Sequence, residues 1–251
     1  MKFGIIFCAY NEKKYVRQSL DAFIEAQKRH NIFITVSSIP FAEYRNTSFK
    51  DSEDGTVDII QQYQDQGLIN IAYFEPKFIY EFQARNLCLG HLLALDCDYV
   101  WIVDADELYS QKEIDNLISF VEFNNFIDYF KINFKNYVFD EKNWINETYL
   151  PRIFKTNTAG GLHSFYHDND LKYNDGRIYK QLSELKVPNS VAFIKHMSWT
   201  NDKGKRKVQY QIEHFGHCSY KWNEEKQTLE FNEQYYHNIN ESIPLVNREI
   251  N

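Results

Sequence analysis

The run Tyr99-Val100-Trp101-Ile102-Val103, followed by Asp104-Ala105-Asp106-Glu107, constrains this chain more than any other stretch. Five successive apolar residues, rich in β-branched and aromatic types, predict a strand buried on both faces, as inside a parallel sheet. Side chains alternate along an extended backbone, so residues two apart share a side. If the extension persists past Val103, both carboxylates leave the strand's carboxyl end together, separated by a small alanine. Open α/β sheets bind ligands at that end. Neighbouring anions repel unless a cation sits between them, and hard oxygen donors suit Mg²⁺ or Mn²⁺. The plainer reading is an acidic turn after a strand.

The pattern around this strand predicts an α/β fold. Phe3 to Ala9 reads as a first buried strand, and Asn11 as the cap of a helix that turns Tyr15, Leu20, Phe23 and Ile24 inward. Ile32 to Val36 reads as a second strand, with an irregular stretch from Ser37 to Gly55 after it. A helix over Thr56 to Gln64, a strand over Leu68 to Phe74 and a helix over Phe82 to Leu95 then lead into Tyr99. Such alternation is the signature of parallel strands joined by helical crossovers. After a helix near Lys112 to Asn124 the character changes. Tyr129 to Phe134 and Tyr149 to Phe154 have no long helix between them and predict mixed or antiparallel strands to about Phe193. From Lys203 the chain reads as helical and highly charged.

A chain of 251 residues fits one large domain or two fused lobes, and 43% hydrophobic residues supply a core. A formal charge of -7 argues against non-specific attraction to nucleic acid or anionic membrane, so an anionic ligand needs a metal or a local basic cluster. The 18 Tyr and 20 Phe exceed what a core requires, and a surplus is useful for stacking sugar or base rings. Cys8, Cys88, Cys97 and Cys218 have neither zinc nor redox spacing, and three of them lie within apolar stretches, where a free thiol is usually a small core residue, which suggests a reducing compartment. The apolar run Phe3 to Tyr10 is short for a signal peptide and lacks a cleavage site. No segment approaches the roughly 20 apolar residues of a membrane span. The expectation is a soluble cytoplasmic protein.

Four fragments stand in a familiar order: Ala9-Tyr10-Asn11-Glu12, Ser52-Glu53-Asp54-Gly55-Thr56-Val57-Asp58-Ile59-Ile60, Ala84-Arg85-Asn86 and Val103-Asp104-Ala105-Asp106-Glu107. Together they resemble glycosyltransferase family 2 and its relatives with the type A nucleotide-diphospho-sugar (GT-A) fold, closely over residues 1 to 125 and loosely beyond. The resemblance implies a Rossmann-like, mostly parallel sheet flanked by helices. Residues 1–125 would form the nucleotide-sugar half, 126–200 the acceptor-side half of the same domain, and 201–251 a C-terminal helical extension. The implied activity is metal-dependent transfer of a hexose from a UDP- or GDP-sugar to the hydroxyl of a glycan or other acceptor, with inversion.

By the same resemblance, Tyr10, Asn11 and Glu12 would touch the nucleoside. Asp54 would read the base, although a long insertion separates it from the second strand, whose end carries Ser37-Ser38. Arg85 would approach the diphosphate, or be a surface arginine of its helix. Asp104 and Asp106 match the pair that holds Mn²⁺ or Mg²⁺, with Asp106 the direct ligand, and His196 resembles the histidine that completes the metal site. Lys203, Lys205, Arg206 and Lys207 would form either a cationic flap over the diphosphate or a solvated helix face. For the base that takes the acceptor proton, Asp168 comes first and His163 second, both in the Gly160 to Asp168 stretch; its plain alternative is a polar loop.

Competing classes fare worse. Tyr109 stands where a calcium loop needs glycine, and no Walker signature is present. A phosphatase with an Asp-x-Asp nucleophile would carry it on an early strand, and three strands precede it here. A binding-only member of the family remains the main alternative, against which the intact Asn11, Asp104 and Asp106 speak.

Overall fold

The computed structural model describes residues 1–42, 54–74, 79–167 and 170–249. β1 (Phe3–Cys8) opens the chain, followed by α1 (Lys13–Gln27), β2 (Ile32–Ser37), α2 (Thr56–Asp65), β3 (Ile71–Tyr73), α3 (Glu81–Ala94) and β4 (Tyr99–Asp104). β2 and β4 flank β1 in parallel, and β3 joins the far side of β2, also in parallel. β1 and β4 lie in the interior of the sheet, and Ile5, Ile6, Phe7, Trp101, Ile102 and Val103 have no solvent exposure. Burying each such side chain contributes about 1.5–3 kcal/mol, which is why the run of continuous apolar residues lies here.

The second half continues the same sheet. After β5 (Glu107–Leu108) and α4 (Gln111–Phe123) come the long strands β6 (Tyr129–Phe139) and β7 (Asn143–Lys155). β7 pairs antiparallel with both β4 and β6, so no break separates the two halves. β8 (Leu162–His167) and β9 (Asp170–Tyr173) form a hairpin against α3, and the short β10 (Glu184–Lys186) edges β6. β11 (Ile194–Thr200) runs parallel to β6 and antiparallel to β5. That double pairing carries residues near 196 back to the Asp-x-Asp loop.

The segment after 200 is helical at α5 (Asn201–Phe215) and α6 (Glu233–Ile239), with a hairpin of β12 (Tyr220–Asn223) and β13 (Thr228–Phe231) between them. β14 (Asn247–Arg248) returns to pair with β7. The architecture is the α/β sheet with a mixed second half that the sequence predicts. All four cysteines are buried free thiols. Among the described residues no helix is long and apolar enough to cross a membrane.

One local expectation fails. Asn11 does not cap α1: it has φ 57, the left-handed region that Asn tolerates, and Glu12 is the N-cap. The first amides of the helix find partners elsewhere in the fold. Glu12 N–H donates to Thr56 Oγ1 at 2.8 Å and Lys13 N–H to Asp54 Oδ2 at 2.9 Å.

Candidate active site

β1 and β4 end side by side, with Cys8 paired to Asp104 and the Ala105 amide donating to the Cys8 carbonyl at 2.8 Å. The chain turns there, and a cavity of about 260 Å³ opens over the two strand ends. It is lined by Cys8, Asp104, Ala105 and Asp106 at the strand ends, by Tyr10, Asn11, Glu12 and Phe41, and by His196, Ser198 and residues of α5. The sheet topology thus places the cavity where parallel strands present their carboxyl ends.

The two aspartates reach this cavity with different partners. Arg85 Nη2 donates to both Asp104 oxygens, at 3.0 and 3.3 Å, and Arg152 Nη2 lies 3.3 Å from Oδ2. Both guanidiniums are buried, Arg85 at 1% exposure and Arg152 at 3%. Arg85 also pairs with Glu81 and Arg152 with Glu107, at 2.5 Å for the latter. Burial pushes the Asp104 carboxyl up, but Arg85 and Arg152 outweigh it and hold the group below its usual value. Arg85 is therefore neither a surface arginine nor a cavity-lining one. It sits behind Asp104 as a counter-charge.

Asp106 faces the other way. Its Oδ2 accepts from Lys203 Nζ at 2.6 Å and lies 3.5 Å from His196 Nε2. Lys203 Nζ is also 2.6 Å from Glu12 Oε1. Burial raises the Asp106 carboxyl, yet Lys203 and His196 hold it well below the ordinary carboxylate range. Burial is the stronger influence on Glu12, which is pushed up to about 7 against the pull of Lys203. His196 is oriented by Asn136, whose Oδ1 lies 2.7 Å from Nδ1, and by the edge of Phe134.

α5 explains why Lys203 arrives there. Lys203, Arg206, Lys207 and Tyr210 follow the i, i+3, i+4, i+7 spacing of one helix face, and all four line the cavity. Arg206 Nη2 donates to the Asn11 carbonyl at 2.8 Å, and Lys207 donates to Ser198. Burial pulls the Lys207 ammonium below its usual value. Lys205 lies off this face and pairs with Glu224 at 2.9 Å. Of the cationic run, Lys203, Arg206 and Lys207 line the cavity, and Lys205 stands off it.

The residues present do not fit the expected divalent ion. Both oxygens of Asp104 are taken up by guanidinium, and the position between Glu12 and Asp106 is filled by the chain's own ammonium. Among the described residues no three His, Cys, Asp or Glu side chains are arranged to hold a metal ion. Of the expected set, Asp106 and His196 stand 3.5 Å apart beside Lys203, while Asp104 is paired with Arg85 and Arg152.

Other expected residues separate too. Asp54 accepts from Thr56 N and Oγ1 and from Lys13 N, so it joins the starts of α1 and α2 and does not line the cavity. His163 is exposed on β8, bonded to Ser164 at 2.7 Å, and likewise does not line it. Asp168 lies outside the described residues, as do Ser52 and Glu53. Asn86 of the Ala84-Arg85-Asn86 fragment clamps α3 to β8, accepting from Phe165 N and donating to Phe165 O.

Glu81, Arg152, Ser198 and Tyr210 are additions that the sequence reading did not single out. A signal existed for Arg152: an arginine inside Pro151-Arg152-Ile153-Phe154, an otherwise apolar strand, needs a buried anion.

The family profile described as Glycosyl transferase family 2 matches residues 4–166. No curated protein matches the chain. Among solved structures, S. aureus TarS 1-349 in complex with UDP aligns at TM-score 0.40 and 19% identity, over 55% of this chain and 36% of that one. TarS 1-349 in complex with UDP-GlcNAc gives TM-score 0.40 and 19% identity, over 55% and 35%. TarS 1-349 alone gives 0.42 and 17%, over 62% and 47%. The chain thus spans less than half of each of these structures.

Proposed function

The chain belongs to glycosyl transferase family 2, and we propose that it moves a sugar from a nucleotide-diphosphate donor to the hydroxyl of an acceptor. One observation carries this reading: Lys203, Arg206 and Lys207 line, beside the acidic strand end, a cavity that Tyr10 and Phe41 also line. A nucleoside diphosphate is anionic at one end and a flat ring at the other. Charge-assisted hydrogen bonds from the α5 cations suit the diphosphate. The Tyr10 and Phe41 rings, with centroids 6.4 Å apart, suit the base.

The chemistry divides among named residues. Departure of the diphosphate leaves an oxocarbenium-like sugar, and cations facing the leaving oxygens lower that barrier. Asp104 is held ionised and rigid by two buried arginines, so it orients and repels instead of titrating. A single displacement inverts the anomeric carbon and requires a base on the acceptor side. We assign that role to Asp168, as the first acid after the Gly160-Gly161 turn.

A donor screen tests the reading. UDP-, GDP- and CDP-linked hexoses are incubated with the protein, and release of nucleoside diphosphate is followed. At least one donor should be hydrolysed slowly without acceptor, and Asp106→Ala should slow release by about 100-fold or more, since it unseats Lys203. Release from none of the three would refute the proposal.

A further inference from the structure

Resting on that reading, we propose that Lys203 is the resident cation of the donor site, so that the nucleotide binds and its diphosphate departs without a divalent metal. Three independent features of the geometry lead here. Lys203 Nζ lies 2.6 Å from Glu12 and 2.6 Å from Asp106, so the ammonium bridges the two carboxylates. The side chain is 11% exposed, so this ammonium is a fixed part of the cavity lining. It is delivered by a helix whose same face also brings Arg206 and Lys207, each anchored to a fixed partner, the Asn11 carbonyl and Ser198.

Charge balance argues the same way. Around the cavity Arg85, Arg152, Lys203, Arg206 and Lys207 already stand beside Glu12, Glu81, Asp104, Asp106 and Glu107, and burial pushes Glu12 up to about 7 and Glu107 up to about 8, so the acids leave no surplus negative charge for a further cation. A divalent ion added to this set would stand beside Lys203 in a poorly solvated space, where like charges repel strongly. An incoming diphosphate meets the opposite situation. Lys203 keeps one hydrogen bond to Asp106 and has donors left for phosphate oxygens, since an ammonium carries three.

The step balances without another reactant. The bond from the anomeric carbon to the diphosphate oxygen breaks, and its electron pair stays on that oxygen. The acceptor oxygen forms the new bond to carbon, and its proton passes to the base. Lys203 remains protonated throughout and offsets the charge that collects on the leaving group. It is a catalytic residue in the strict sense of touching the substrate.

Calorimetric titration of UDP, GDP and CDP separates the possibilities, each run in EDTA and again in excess Mn²⁺. The wild-type protein should bind one of these nucleotides in EDTA within about threefold of its affinity in Mn²⁺. Lys203→Met should weaken binding in EDTA by about tenfold or more, and Mn²⁺ should not restore it, because no three His, Cys, Asp or Glu side chains among the described residues are arranged to hold a metal. Lys203→Arg should keep binding in EDTA, and melting curves of both variants establish that they fold. Wild-type binding that appears only with Mn²⁺ would overturn the inference while leaving the glycosyltransferase reading intact. Unchanged binding by folded Lys203→Met in EDTA would overturn it as well. Binding of no nucleotide under either condition would overturn both readings.

Discussion

Arg152 is the residue whose removal should cost this protein most. Its guanidinium lies against Glu107, which has no solvent exposure, and against Asp104, while stacking over Phe134 at 4.7 Å. Burying a charge is tolerable only when it is paired, and deleting one partner strands the other. Arg152→Met keeps the length and apolar bulk of the side chain but leaves the buried Glu107 and the partly exposed Asp104 with less counter-charge. We expect a loss of about 3–5 kcal/mol in unfolding free energy, read from the urea midpoint. A loss below about 1 kcal/mol would mean that water or another cation reaches Glu107. The same logic explains why the aspartates could be found in the sequence while their partners could not. An Asp-x-Asp after an apolar strand is a local pattern. Arg85 and Arg152 lie 19 residues before and 48 residues after Asp104, and only the sheet brings them together.

At the scale of elements, α5 decides what the cavity is. Its cationic face is legible as spacing, yet its position depends on close packing against the β12–β13 hairpin. Gly204 marks that contact. A methyl group there would meet Leu229 Cδ1 at 1.9 Å and the Trp199 carbonyl at 3.0 Å. In an exposed helix interior, glycine to alanine stabilises by roughly 0.5–1 kcal/mol. Here the clash prevails, because Leu229 is buried and the carbonyl is backbone. Gly204→Ala should destabilise by about 1–3 kcal/mol and weaken nucleotide binding, although residue 204 does not line the cavity. A variant with raised melting temperature and unaltered affinity would show that α5 docks more loosely. The failed cap at Asn11 teaches a related lesson: amides at the start of α1 are satisfied by Asp54 and Thr56, distant in sequence, so the local capping rule does not apply.

At the scale of the whole molecule, the two halves should unfold as one. The resemblance divides the chain at 125 and 200, but β4 pairs with β7 across the first division, and β14 pairs with β7 across the second. Backbone hydrogen bonds therefore cross both divisions. Far-UV dichroism and tryptophan fluorescence, which reports Trp101 from one half and Trp144, Trp199 and Trp222 from the other, should follow a single coincident transition in urea. Two separated transitions would contradict the shared sheet. The sequence by itself determined the alternating strands and helices, the buried β4 strand, the acidic loop at its end and the cationic spacing of α5, because each of these is written in neighbouring residues. Tertiary structure alone decided which charge meets which: that arginines hold Asp104, that Lys203 bridges Glu12 and Asp106, and that His163 and Asp54 stand off the cavity. Electrostatic partners are set by proximity in space, and proximity between residues a hundred positions apart exists only after the sheet has closed.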